Sequence, residues 1–195
     1  MARTSSIERN TNETKIRLDL NLDGTGKADI HSGVGFFDHM MNGFARHGLF
    51  DVNLHVDGDL EVDCHHTIED TGIVLGKAIA AAIGDKKGIA RFGSCLLPMD
   101  ETLAECALDI SGRPYFVWNA PEALQSGSVG GFDCCMAEEF FRAVAMNAGI
   151  TLHLNVRYGR NAHHIIEALF KAFARALSQA SQITGEGILS SKGTL

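Results

Sequence analysis

The chain repeats itself, and an internal repeat constrains the fold more than any single motif does. The segment "DCHHTIED" at 63–70 returns as "NAHHIIEA" at 161–168, so that His65 matches His163, His66 matches His164, Ile68 matches Ile166 and Glu69 matches Glu167. Upstream, the period-two run Phe50, Val52, Leu54, Val56 is mirrored by Ile150, Leu152, Leu154, Val156, which predicts a half-buried strand in each place. Further back, Met40, Met41 and Phe44 form the apolar stripe of an amphipathic helix, and Phe140, Phe141 and Val144 repeat it. Helix, strand and helix thus recur in one order, with the second copy two residues shorter between strand and His-bearing helix. An α+β tandem duplication follows.

Before each first helix lie β-prone runs. "TKIRLDLNLDGTGKADIH" reads as a hairpin turning at Asp23-Gly24, and "LAECALDISGRPYFVW" as another turning at Ser111-Gly112. Each half is therefore expected to run strands, helix, strand, helix. Gly84, Gly88 and Gly93 interrupt the apolar pattern and mark the boundary, giving a first half at 1–88, a second at 89–184 and a tail at 185–195. Residues 1–10 and 184–195 read as irregular. Packing the halves sheet on sheet or helix on helix would bury both apolar faces.

Composition narrows the class. A chain of 195 residues with 45% hydrophobic content can build a packed core, and its net charge of -7 argues against a general electrostatic grip on nucleic acid or an anionic membrane. Cys64, Cys95, Cys106, Cys134 and Cys135 form no C-x-x-C pair and read as reduced, small core residues of a cytoplasmic protein. "MARTSSIERNTNETK" has no apolar h-region, and no stretch approaches the roughly 18 apolar residues of a membrane span. A soluble protein is expected.

The repeated motif carries chemistry. On a helix, residues four apart share a face while the next residue is turned by about 100°. His65 and Glu69 can therefore converge on one ion as His66 turns toward another, and His163, Glu167 and His164 can do the same. Brought together, two such helices offer four imidazoles and two carboxylates, a mixed set suited to borderline divalent ions. The plain alternative is a surface helix with a polar N-terminus, capped by Asp63 or Asn161. His39 precedes the first apolar stripe as Glu139 precedes the second, and both types of side chain can bind metal. His31, His47, His55 and His153 carry weaker signals, and His153 falls on the solvent face of its strand. Arg91, Arg113, Lys171 and Lys192 sit beside small residues or the metal motif, as anion sites often do. None of these contexts is a P-loop or a dinucleotide fingerprint.

Taken together, "RNTNETKI" at 9–16, "LDGTGKADI" at 22–30, "GFFDHM" at 35–40, "HGLFD" at 47–51, "DCHHTIED", "GIARFG" at 88–93, "SGRPY" at 111–115, "NAHHIIEALFKAFARAL" at 161–177 and "SSKG" at 190–193 resemble the imidazoleglycerol-phosphate dehydratase family nearly end to end. The resemblance implies a hydro-lyase of histidine biosynthesis that converts D-erythro-imidazole glycerol phosphate to imidazole acetol phosphate with two manganese ions (Mn2+) per active site. It implies a duplicated fold of the ribosomal-protein-S5-domain-2 type and sites shared between subunits of a large cubic homo-oligomer built from trimers. By carry-over, the metal ligands are His39, His65, His66, Glu69, His163, His164 and Glu167, with Glu139 at a position where many members have histidine. Phosphate and substrate contacts fall on Arg91, Arg113, Lys171, Ser190 and Lys192, with Glu13 as a further substrate contact and Glu13, Glu167 and His66 as candidates for proton transfer. The implied substrate has no carbonyl to acidify the departing proton, so its ring must supply the electrons, and Lewis-acid stabilisation of the deprotonated imidazole is what the metals would add. Two other readings are a two-metal phosphoester hydrolase and an S5-like RNA-binding module. The acidic charge counts against the second.

Overall fold

The computed structural model describes residues 2–194. The first half contains β1 (Thr4–Asn10), β2 (Thr14–Asn21), β3 (Ala28–His31), α1 (Gly35–Gly48), β4 (Asp51–Gly58) and α2 (His65–Ile83). The second contains β5 (Phe92–Met99), β6 (Thr102–Asp109), β7 (Tyr115–Asn119), α3 (Met136–Ala148), β10 (Thr151–Tyr158) and α4 (Ala162–Ser181). A 3-10 turn at Glu122–Gln125 and the short pair β8 (Ser128–Val129) and β9 (Phe132–Asp133) precede α3. The order strands, helix, strand, helix holds in both halves.

The sheets have orders β1-β2-β4-β3 and β5-β6-β10-β7, with β3 parallel to β4, β7 parallel to β10 and the other neighbours antiparallel. This corrects the expectation of two hairpins. β4 lies between β2 and β3, and β10 lies between β6 and β7, so Asp23-Gly24 and Ser111-Gly112 begin crossovers rather than tight turns. The reason is backbone pairing: β2 satisfies its donors and acceptors on β1 and β4, leaving β3 only the far edge of β4. Asp51 holds the first crossover by accepting the N–H groups of Thr25 and Lys27 at 2.8 and 3.0 Å. A second correction concerns the segment read as irregular at the start of the chain. Residues Thr4–Asn10 form an edge strand whose sequence, TSSIERN, lacks apolar alternation because it binds through its backbone. The stretch 184–194 contains no helix or strand.

Both apolar stripes are buried, with Met40, Met41, Phe44, Phe140, Phe141 and Val144 all at most 1% exposed. Of the two packing solutions, the molecule uses helix on helix. α2 covers β1 and β2 and packs against α3, while α4 covers β5 and β6 and packs against α1. The halves share one core: Phe37 of α1 meets Phe140 of α3 at 5.3 Å between centroids, and Phe140 stacks on Phe170 of α4 at 5.0 Å. All five cysteines are free. Three of them are buried core residues, but Cys135 is exposed, which departs from their reading as uniformly small core residues. No helix among the described residues is long and apolar enough to cross a membrane.

Candidate metal and substrate site

The first turn of α4 is built to expose two imidazoles. Asn161 caps it, its side-chain oxygen accepting the N–H groups of His163 and His164 at 3.0 and 3.4 Å. Asp63 serves α2 in a smaller way, accepting the N–H of His65 at 2.7 Å. Adjacent rings then diverge as the helical turn requires: the interplanar angle is 75° for His65 and His66 and 78° for His163 and His164. Asp70, the acid at the far end of the first motif, is buried and structural, bonded to Arg9 and to Thr14 Oγ1.

Packing α1 on α4 completes a cluster. His163 Nε2 lies 3.2 Å from Glu167 Oε2, and His39 Nε2 reaches 3.6 Å from Glu167 Oε1. One ligand atom from each of these three residues lies within 4.8 Å of the others. Two imidazole nitrogens and a carboxylate oxygen so placed fit a divalent cation, and the set matches borderline ions. Phe36 packs edge-on against the His163 ring at 4.9 Å and fixes it. Burial pushes the Glu167 carboxyl up, but Lys171, with its Nζ at 2.8 Å, and the two imidazoles outweigh this and hold it below its ordinary value. His47, given little weight from sequence, lines the same cavity of about 290 Å³ with His39, Arg46, Glu167 and Lys171.

The repeated motif forms only part of a second cluster. His65 Nε2 lies 3.6 Å from Glu69 Oε2, the counterpart of the His163–Glu167 pair. Glu139 does not join them; its carboxylate lies 3.6 Å from Arg142 Nε. His66 and His164 turn aside to carboxylates that sequence reasoning missed. Asp59 Oδ2 is 2.9 Å from His66 Nδ1, and Glu101 Oε2 is 2.7 Å from His164 Nδ1. Each bond raises its imidazole's pKa above the ordinary value, and Glu101 is drawn down to about 2 by His164 and by the Asn161 N–H. A signal for Glu101 was present: "NET" at 12–14 recurs as "DET" at 100–102, so Glu13 and Glu101 occupy equivalent turns. Glu13 Oε1 itself lies 3.8 Å from His66 Nε2.

Within the chain each His-bearing helix packs on the stripe helix of the other half, α2 on α3 and α4 on α1. Among the basic residues, Arg91 and Arg113 share Asp109: Arg91 binds it through Nε at 2.7 Å and Nη2 at 3.0 Å, and Arg113 Nη2 is at 3.8 Å. Arg91 Nη1 also donates to the Leu189 carbonyl at 2.7 Å, which brings the segment carrying Ser190 and Lys192 to Arg91. Lys171 stands apart, at the His39 cluster. His31 and His55 pair with each other at 4.8 Å, and His153 is exposed.

A family model for imidazoleglycerol-phosphate dehydratase matches residues 32–177. The chain belongs to the imidazoleglycerol-phosphate dehydratase family. It is 56% identical over 197 aligned residues to the imidazoleglycerol-phosphate dehydratase of Acetivibrio thermocellus, covering 100% of both chains. The enzyme of that name from Symbiobacterium thermophilum is 56% identical over 195 aligned residues, covering 99% of this chain and 93% of its own. The crystal structure of imidazoleglycerol-phosphate dehydratase from Staphylococcus aureus superposes with a TM-score of 0.82 at 42% identity, covering 93% of this chain and 99% of that one. That from Pyrococcus furiosus, in complex with (S)-C348, superposes at 0.80 and 33% identity, covering 97% and 100%. The duplicated α+β unit is thus the architecture of imidazoleglycerol-phosphate dehydratases, and the clustered His39, His163 and Glu167 lie on its helices.

Proposed function

We propose that the chain dehydrates D-erythro-imidazole glycerol phosphate to imidazole acetol phosphate, a hydro-lyase step of histidine biosynthesis. The observation that carries this reading is the His39–His163–Glu167 cluster, repeated in part as His65–Glu69, in a chain of this family. Arg91, Arg113, Ser190 and Lys192 bind the substrate phosphate, a reading supported by the two guanidinium groups that share Asp109 and by the bond from Arg91 to the Leu189 carbonyl at the start of the tail. Lys171 serves the same substrate from the His39 side. His39, His65, His66, Glu69, Glu139, His163, His164 and Glu167 hold the ions, which we read as two manganese per active site. When bound, these ions supply Lewis-acid polarisation of the substrate imidazole.

In the reaction the ring-side carbon loses its hydroxyl, the neighbouring carbon loses a proton, and the resulting enol becomes the ketone as one water leaves. Glu13, whose Oε1 lies 3.8 Å from His66 Nε2, is assigned to proton transfer, with Glu167 as the other candidate, while His66, bonded to Asp59 through Nδ1, serves as a ligand. Because α2 and α4 point to different partners within one chain, we assign the complete site to two or more copies of a cytoplasmic homo-oligomer. Incubating the manganese-loaded protein with the imidazole substrate tests the reading. Ketone without inorganic phosphate is expected. Phosphate release would make the chain a two-metal hydrolase instead.

A further inference from the structure

We infer that Asp59 and Glu101 are positioning residues, which hold Nδ1 of His66 and His164 as N–H donors and so leave each Nε2 lone pair free for a divalent cation. This rests on the ligand reading above. A carboxylate only accepts hydrogen bonds, so a neutral ring bonded to it through Nδ1 must carry its proton there. Asp59 Oδ2 and Glu101 Oε2 make those contacts at 2.9 and 2.7 Å. Metal-binding imidazoles generally use such a partner to fix tautomer and ring orientation.

The duplication supplies a second argument. Asp59 follows β4, but the residues in its place after β10 are Gly159 and Arg160, neither of which has a side-chain acceptor. Glu101 lies in the β5–β6 turn, where the first half has Glu13 in the β1–β2 turn. The same bond to Nδ1 is therefore made in both halves by residues from different places. A surface contact left over from duplication would recur at one position. A bond that recurs while its partner moves is tied to what it does to the ring. One consequence reaches Glu13: with Asp59 holding His66, the first-half turn acid is released, and its side chain stays 54% exposed.

The two carboxylates are held differently, and this sets the test. Glu101 Oε1 accepts the N–H groups of Asn161 and Arg160 at 2.8 and 3.2 Å, so Glu101→Gln must keep its single oxygen there and present its NH2 to His164 Nδ1. The ring proton then moves to Nε2. Asp59→Ala leaves His66 with no acceptor at Nδ1. Nitrogen-15 NMR of the full chain, stripped of metal and at alkaline pH where both rings are neutral, reads the tautomers directly. Wild type is expected to show Nδ1–H at both rings, Glu101→Gln to convert His164 alone, and Asp59→Ala to disturb His66 alone. Mn2+ titration should show each variant about 10- to 100-fold weaker than wild type. Wild-type rings protonated at Nε2, variants with wild-type Mn2+ affinity, or weaker affinity with unchanged tautomers would each overturn the positioning role alone. A wild-type chain that takes up no Mn2+ would overturn the ligand reading and this inference with it.

Discussion

Glu139 stands where the duplication puts the counterpart of His39, and its carboxylate faces Arg142 Nε at 3.6 Å. Arg142 is better served by Glu138 Oε1, at 2.5 Å. An exposed pair of the Glu139–Arg142 kind is worth ~1 kcal/mol or less, so a cation held by His65 and Glu69 can recruit the carboxylate at small cost. Glu139→Ala is expected to lose one of two ions and most turnover without unfolding, while Glu139→His keeps both ions. Metal stoichiometry decides it, and two tightly held ions with normal kcat in the alanine variant would strike Glu139 from the ligand set. The carboxylate–imidazole pairs also predict a pH response. A raised histidine contributes stability fully present below its unfolded value of about 6.5 and lost as pH rises through the folded one. Glu101, lowered from 4.5 to about 2, contributes stability present above 4.5 and lost as pH falls toward 2. The gap in unfolding midpoint between wild type and Glu101→Ala, measured on metal-stripped protein, should therefore be widest in mildly acidic solution and close in both directions. A gap that grew with alkaline pH would contradict the pairing.

At the scale of elements, the contact between α2 and α3 depends on two glycines one turn apart. A Cβ on Gly72 would lie 2.7 Å from the Phe140 carbonyl oxygen, and one on Gly76 would lie 2.7 Å from both the Val144 carbonyl oxygen and Asn147 Cβ. The helices approach closely and run parallel, which sets Glu139 in the first turn of α3 at the level of His65 and Glu69 in the first turn of α2. In α4 the matching positions are Phe170 and Ala174, so α1 and α4 pack through side chains instead. Gly76→Ala should cost ~1 to 3 kcal/mol of overpacking, against a gain of about 1 kcal/mol in helix propensity. A net fall of a few degrees in Tm is expected in a thermal melt, with weakened metal binding at the His65–Glu69 half. A raised Tm would mean that the helices have room to separate.

For the whole molecule, the decisive arrangement is that the two His-bearing helices take different partners within the chain. On the proposed reading that ligands from different copies share a cation, the cation bridges the copies and its removal takes that bridge away. Chelation is expected to abolish activity and loosen the assembly, and Mn2+ to restore both. Light scattering after size-exclusion chromatography, run beside an activity assay and elemental analysis, tests this. Full activity in protein shown to be free of metal would exclude a metal-dependent mechanism.

Periodicity and repetition by themselves determined the duplicated unit, the stripes around Met40 and Phe140, the central strands and the residues of both His-His motifs, because each is a local pattern that helix or strand geometry reads directly. His163 with Glu167 and His65 with Glu69 were legible for the same reason, being one turn apart on one helix. Strand order was not. Whether β3 joins β2 or β4 depends on which backbone edge remains unpaired after the long-range pairs form, and the polar strand β1 shows itself only through that pairing. The same holds for Asp59, Glu101 and Asp109. Their roles come from meeting His66, His164 and the two arginines across turns and strands, and only the packed chain brings those groups within bonding distance.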